Sequence, residues 1–250
     1  MFSIIVATRN AEKYIAETIK SIVAQDFSDF ELLIIDAKSD DATLDIVRSF
    51  NLPRVTIVSE PDRGIGDAWN KGLRLAKGSI IGMLGSDDYY DLGTFVAVDK
   101  VFSKHHTPVI GFGDVTIVDP LTGHFKKVIG KSRGKFGLLN GFGFLHPSVF
   151  FNKLALEKIG FFDAKQRIAM DTDWLLRGVS SGVNFVKIPS HTYMRLGGVS
   201  DVNKYAGMGE YLDALVRNGY SDVYIAMFFA FRFLGQLRSI FKMRFRLGKP

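Results

Sequence analysis

In the first 90 residues, short β-branched apolar runs alternate with helical patterns, and this alternation restricts the fold more than any other feature of the chain. "FSIIVA" (Phe2–Ala7), "FELLII" (Phe30–Ile35), "RVTIVS" (Arg54–Ser59) and Ser79–Leu84 read as buried strands. Between them stand Ile15, Ile19, Ile22 and Val23 at helical spacing, with Asn10 offered as the cap. Thr43–Phe50, with Leu44 and Val47 on one face, and Asp67–Ala76 complete the helical stretches. Strands alternating with helices predict a parallel sheet covered by helices. In such sheets ligands bind beyond the carboxyl ends of the strands. Thr8-Arg9-Asn10, Asp36 to Asp41, Glu60 to Arg63 and Asp87-Asp88 occupy those ends, so four polar clusters are expected on one rim.

The second half is less regular. Val109–Phe112, Val115–Val118, Phe125–Ile129 and "PSVFF" are expected as short strands, and Asn184–Ile188 as a later one. Leu154–Ile159 and Asp171–Val179 are expected as helices, and Asp91 as the cap of a helix beginning near Leu92. The Gly-rich, basic stretch Gly130–Phe144 reads as a mobile loop. No linker separates two domains and no repeat is present. With 47% hydrophobic residues the chain has the composition of a globular protein with a substantial core.

Charge is unevenly placed. The net charge is +6, yet no acidic residue follows Asp222, and Arg232, Arg238, Lys242, Arg244, Arg246 and Lys249 do. Removing those six from 32 basic residues leaves 26, against 26 acidic ones. A nucleic-acid binder would spread basic charge over a folded face, so no nucleic acid is expected as a partner. On a helical wheel Arg232, Arg238, Lys242, Arg246 and Lys249 share an arc opposite Leu234, Leu237, Ile240, Phe241 and Phe245, with Arg244 out of place. Residues 223–250 are therefore expected to form a basic amphipathic tail at an anionic membrane surface. The alternatives are packing on the body or on a second subunit, as a homodimer. No apolar run of about 18 residues argues for a membrane span. The first residues lack the pattern of a signal peptide, and cysteine is absent, which fits a reducing compartment.

In "GSIIGMLGSDDYYD" (Gly78–Asp91) two adjacent carboxylates follow an apolar run. Such a pair repels itself and is costly to bury without a positive partner. A hard divalent cation, taking one or two carboxylates together with substrate phosphates, would be such a partner; a solvated turn is the plain alternative. The order and spacing of "IVATRN", "IIDAKSDDAT" (Ile34–Thr43), "SEPDRGIGDAWNKG" (Ser59–Gly72) and "GMLGSDD" resemble the family 2 glycosyltransferases, closely over residues 1–100 and more loosely to about 200.

That resemblance implies the GT-A fold, a Rossmann-like, mostly parallel α/β sheet flanked by helices. It implies a glycosyltransferase domain over 1–222, with a nucleotide-sugar half (1–100) and an acceptor and catalytic half (101–222), followed by the tail. It also implies inverting transfer from a nucleotide-sugar donor to a saccharide or lipid-linked saccharide acceptor, as in surface-polysaccharide assembly. The place would be the cytoplasmic face of the membrane. By the same resemblance Thr8, Asn10, Asp36 and Ser39 line the nucleotide pocket, with Asp36 on the base and Asp41 shaping its loop. Asp67 and Lys71 serve ribose or phosphate, unless they form a surface ion pair. Asp87 meets ribose, and Asp88 binds Mg²⁺ or Mn²⁺. In "AMDTDWLLRG" Asp171 is the base, with Asp173 as the alternative; both would otherwise simply cap the helix, and Asp171 is expected at its N-cap. His146 and Arg195 are assigned to acceptor or diphosphate, the latter with a turn at Gly197-Gly198. Ala37 and Lys38 replace the acid and glycine usual in the family, so that loop is expected to turn differently.

Other readings lack their motifs. G-x-G-x-x-G does not follow the first strand and G-x-x-x-x-G-K-S/T is absent, which argues against a dinucleotide oxidoreductase and a P-loop enzyme. A sugar nucleotidyltransferase would open with a Gly-rich basic loop. A non-catalytic nucleotide-sugar-binding protein of the same fold would have no need of Asp87, Asp88 and Asp171.

Overall fold

β1 (Phe2–Thr8) is buried along its whole length, because helices cover both faces of the sheet around it. Phe2, Ile4 and Val6 enter one core, and Ile5 and Ala7 the other. A strand so placed cannot alternate apolar with polar residues, which is why "FSIIVA" is a continuous apolar run. The computed structural model describes residues 1–132, 141–197, 204–227, 229–230 and 233–234. β2 (Phe30–Asp36), β3 (Val55–Ser59) and β4 (Ile80–Gly85) complete a parallel block in the order β3-β2-β1-β4. α1 (Ile15–Val23), α2 (Thr43–Ser49) and α3 (Ile65–Leu75) connect these strands.

Beyond β4 the sheet continues through elements distant in sequence. β8 (Val149–Asn152) pairs antiparallel with β4 and then with β6 (Val109–Val118), and β9 (Asn184–Arg195) runs parallel to β6. The short β5 (Tyr89–Tyr90) pairs with β9, and β7 (Phe125–Val128) with β6. Strands of the two halves of the chain are thus hydrogen-bonded into one sheet. α1 and α4 (Thr94–Phe102) cover one face; α3, α5 (Lys153–Ile159) and α6 (Met170–Ser180) cover the other. α7 (Lys204–Arg217) packs against α6.

Several local expectations are corrected. Asn10 does not cap α1. Ala11 to Tyr14 form a turn first, with Ile15 N donating to the Ala11 carbonyl, and the helix begins behind Tyr14. Asp171 is inside the first turn of α6, whose N-cap is Ala169. α4 starts behind Gly93; Asp91 accepts from Leu92 N instead. Residues 109–118 form one strand, interrupted by a register shift between Phe112 and Asp114. The end of the Gly-rich stretch is core rather than loop: Phe142 and Phe144 are buried, and Phe144 stacks on Phe112 at 4.4 Å. Residues 133–140, like Gly198, lie outside the described residues.

The packed body runs past residue 222, since Tyr224 and Ile225 lean on the core. Val223, Met227, Phe229, Phe233 and Leu234 are exposed. The six tail cations, with Leu237, Ile240, Phe241 and Phe245, lie outside the described residues. Among the described residues no helix is long and apolar enough to cross a membrane.

α3 lies close on β1 because Gly72 has no side chain. A Cβ there would come within 2.4 Å of Ile5 Cγ2. In an ordinary helix interior Gly→Ala gains about 1 kcal/mol. Here we expect Gly72→Ala to lose about 1–3 kcal/mol through overpacking, read as a lower midpoint in urea unfolding.

Candidate functional site

The parallel register brings the strand ends to one line. Thr8 pairs with Asp36, Asp36 with Ser59, and Ala7 with Gly85. The polar clusters that follow these strands therefore share the rim expected from the sequence.

On the β1–β2 side the loops are tied to each other. Asn10 N donates to Ser39 Oγ at 2.8 Å, and Asn10 Oδ1 accepts from Asp40 N at 3.1 Å. Asp41 Oδ2 accepts from Glu12 N. Asp36 is only 1% exposed, and its carboxylate accepts from Ser39 N, Ser39 Oγ and Ser59 Oγ. Its visible work is to shape the loop. Lys38 has φ 58°, the left-handed region that favours glycine. Thr8 is buried and its Oγ1 has no hydrogen-bond partner among the described residues.

Lys71 reaches Glu60 at 3.0 Å and Asp67 at 3.9 Å, and donates to the Pro61 carbonyl at 2.7 Å. Asp67 also accepts from Arg63 N. The i,i+4 pair is thus part of a cluster that fixes the β3–α3 loop.

At the end of β4 two carboxylates converge over Gly85. A Cβ on Gly85 would sit 2.9 Å from Asp88 Oδ2 and 3.0 Å from Asp87 Oδ1. Only glycine leaves the space both oxygens use. Asp88 is 6% exposed; burial, and then the charge of Asp87, push its carboxyl up to about 7. Burial also raises Asp87. Arg195 pulls the other way on both: its backbone N–H donates to Asp88 Oδ1 at 3.0 Å, and its guanidinium donates to the Asp87 carbonyl. Two hard oxygen donors at one point suit Mg²⁺ or Mn²⁺, which take one or two carboxylates and fill the remaining positions from phosphate and water. Among the described residues no cluster of three or more His, Asp or Glu side chains offers an all-protein site.

The loop carrying this pair hangs on α1. Thr18 Oγ1 donates to the carbonyls of Ser86 (2.9 Å) and Asp88 (2.8 Å). Ser21 Oγ accepts from Tyr90 N at 3.2 Å. Gln25 donates to the Asp91 carbonyl at 2.9 Å and accepts from Phe95 N at 3.2 Å. Sequence reading missed this row. Its signal was Thr18 and Ser21 on α1 and Gln25 just past its end, polar residues at intervals of three and four.

α6 brings the remaining acids. Met170, the residue before Asp171, packs against Gly66 in the first turn of α3. Asp171 is half-buried and burial raises its carboxyl; it accepts from Thr172 N at 2.7 Å. No ion pair to it is present among the described residues. Asp173 differs. It is buried and bridged to Arg177 (2.9 Å) and Arg217 (3.6 Å), so its carboxylate joins α6 to α7. His146 sits in a short 3-10 turn and stacks on Trp69 at 4.2 Å. Burial lowers its imidazole to about 3, so the ring is neutral. His146 Nε2 and Trp69 Nε1 are buried without hydrogen-bond partners among the described residues.

Comparison with known proteins identifies the family and the fold. Residues 3–160 match the profile described as glycosyl transferase family 2. The PGL/p-HBAD biosynthesis glycosyltransferase of Mycobacterium bovis (strain BCG / Pasteur 1173P2) is 30% identical over 211 residues, 80% of this chain and 79% of that protein. The poly(ribitol-phosphate) beta-N-acetylglucosaminyltransferase TarS of Staphylococcus aureus (strain Mu50 / ATCC 700699) is 36% identical over 115 residues, 44% of this chain and 20% of TarS. The structure of S. aureus TarS 1-349 in complex with UDP-GlcNAc superposes with a TM-score of 0.68 at 21% identity, covering 87% of this chain and 65% of that one. GalNAc-T7 with UDP, GalNAc and Mn²⁺ superposes with a TM-score of 0.70 at 14% identity, covering 93% and 50%.

Thr18→Val keeps the shape of the side chain and removes the donor shared by Ser86 and Asp88. We expect a loss of about 1–3 kcal/mol in chemical denaturation, because the buried Asp88 carbonyl and the part-buried Ser86 carbonyl lose their shared donor. Thr18→Ser should keep most of the stability.

Proposed function

The chain belongs to glycosyl transferase family 2 and is a glycosyltransferase of the GT-A fold, and from that premise we propose an inverting transfer from a nucleoside-diphosphate sugar to a hydroxyl acceptor. The observation that carries the proposal is the carboxylate pair over Gly85, with Asp171 half-buried and without an ion pair among the described residues. Asp88, with Asp87, would hold Mg²⁺ or Mn²⁺, and Asp87 also faces the ribose. When bound, the cation compensates charge on the departing diphosphate. Thr8, Asn10 and Ser39 form the nucleotide side of the pocket. Asp36 serves it through the loop it holds, and Asp67 and Lys71 order the loop nearest ribose and phosphate.

Asp171 is the base in this proposal. The acceptor oxygen bonds to the anomeric carbon as the bond to the diphosphate oxygen breaks, and the acceptor proton passes to an Asp171 oxygen. A raised carboxyl is a better proton acceptor than an ordinary aspartate, and burial supplies that here. Asp173, already bridged by two arginines, is left to structure.

We propose a saccharide acceptor, lipid-linked, in surface-polysaccharide assembly. The names of the relatives support this, as do the exposed Val223, Met227, Phe229, Phe233 and Leu234 leading into six cations with no acid. An apolar face followed by cations suits the anionic inner leaflet of the cytoplasmic membrane.

Asp171→Asn should lower transfer by about 10²–10⁴-fold while nucleotide affinity stays within about two-fold. The donor for this assay is chosen by a thermal-shift screen of UDP-, GDP- and dTDP-sugars with Mn²⁺. Unchanged turnover removes Asp171 from the role of base. Deleting residues 231–250 keeps Tyr224 and Ile225 and removes all six tail cations. The shortened protein should no longer sediment with anionic liposomes; if it still does, the tail is not the membrane anchor.

A further inference from the structure

Arg195 is the last residue of β9, 107 residues from Asp88, yet it holds the carboxylate pair from two directions. Its backbone N–H engages Asp88 Oδ1, which leaves Asp88 Oδ2 beside Asp87 Oδ1 over Gly85. Its guanidinium donates to the Asp87 carbonyl and pairs with Glu17 of α1 at 2.5 Å. The guanidinium carbon lies 4.5 Å from the centroid of Tyr14 and 4.8 Å from that of Tyr89. Tyr89 in turn stacks on Tyr193 at 4.6 Å. Only 9% of the arginine side chain is exposed, against 51% of Glu17.

We propose that Arg195 is a positioning residue for the cation-binding carboxylates and not a diphosphate ligand. Its fork is occupied by a carbonyl and a carboxylate, and two aromatic ring centroids lie 4.5 and 4.8 Å from its central carbon. A planar, delocalised cation fits that slot; an ammonium cannot bridge two acceptors while stacking on two rings. With the guanidinium fixed, the Arg195 amide is fixed, and that amide decides which Asp88 oxygen is left for the metal. Glu17 extends the brace to α1, the helix whose Thr18 holds the same loop by its carbonyls.

The inference rests on the metal-dependent reading above, and the test separates the two. The nucleoside diphosphate that most stabilises the wild-type protein with Mn²⁺ is selected from UDP, GDP and dTDP. Its affinity is then measured by calorimetry in EDTA, and Mn²⁺ affinity is measured in its presence by electron paramagnetic resonance. Arg195→Lys should weaken Mn²⁺ at least ten-fold and leave the EDTA affinity within two-fold. Glu17→Gln, at a half-exposed site, should weaken Mn²⁺ about two- to five-fold, and carries the test if the arginine variant does not fold. A drop in EDTA affinity in Arg195→Lys would make the arginine a diphosphate ligand and overturn the proposal, as would unchanged Mn²⁺ affinity in both variants. If the wild-type protein binds none of the three diphosphates with Mn²⁺, the metal-dependent reading fails and the inference fails with it.

Discussion

Two carboxylates held against one glycine at the end of a buried strand are the constraint around which this structure is organised. Asp87 and Asp88 repel each other, and Asp88 is nearly sealed from water. Left to itself, the loop would swing outward and hydrate both acids. The protein prevents this by tying down the backbone on either side of them. α1 supplies a row of hydrogen-bonding side chains, and β9 supplies the amide and guanidinium of Arg195. Both acids are thereby kept together in a place where burial and mutual repulsion oppose their charge.

The rest of the site follows from strand register. Because Thr8, Asp36 and Ser59 stand side by side, the loops after β1, β2 and β3 can hydrogen-bond to one another. Asn10 and Ser39 do so across 29 residues, and Ser59 and Asp36 across 23. Asp171 reaches the same region by a different route. Met170, the residue before it, fills the space beside Gly66 at the start of α3. The proposed nucleotide side, the proposed metal ligands and the proposed base thus rest on three separate contacts: strand pairing, side-chain hydrogen bonds to a loop, and one methionine beside a glycine. A fault in one need not disturb the others.

Local pattern was a good guide wherever the local chain decided the outcome. The four parallel strands, and the helices between them, were legible because a strand buried on both faces must be apolar throughout. It was a poor guide at boundaries. Asn10 looks like a cap, yet its backbone is left-handed and its amide oxygen is used by Asp40 from the neighbouring loop. Lys38 occupies a turn that favours glycine, which composition gives no reason to expect. Phe142 and Phe144 sit in a Gly-rich stretch that reads as loop, and only the neighbouring Phe112 and Phe185 make them core. Asp171 and Asp173 are two residues apart and chemically identical, and a helix turns them to different surroundings.

What the sequence by itself determined is the alternation of buried strands and helices, the polar residues at each strand end, and the motifs that identify the family. Each can be read along the chain, from local pattern and from the order and spacing of motifs. The tertiary structure alone decided which acid is bridged by arginines and which is not, that Arg195 meets Asp88 across 107 residues, and that one face of α1 carries the loop of the carboxylate pair. The physical reason is that hydrogen bonds and ion pairs need partners within about 3–4 Å, and for these residues the partners come from elements far away in the chain. Periodicity can place a residue on a face, but it cannot say what that face will meet.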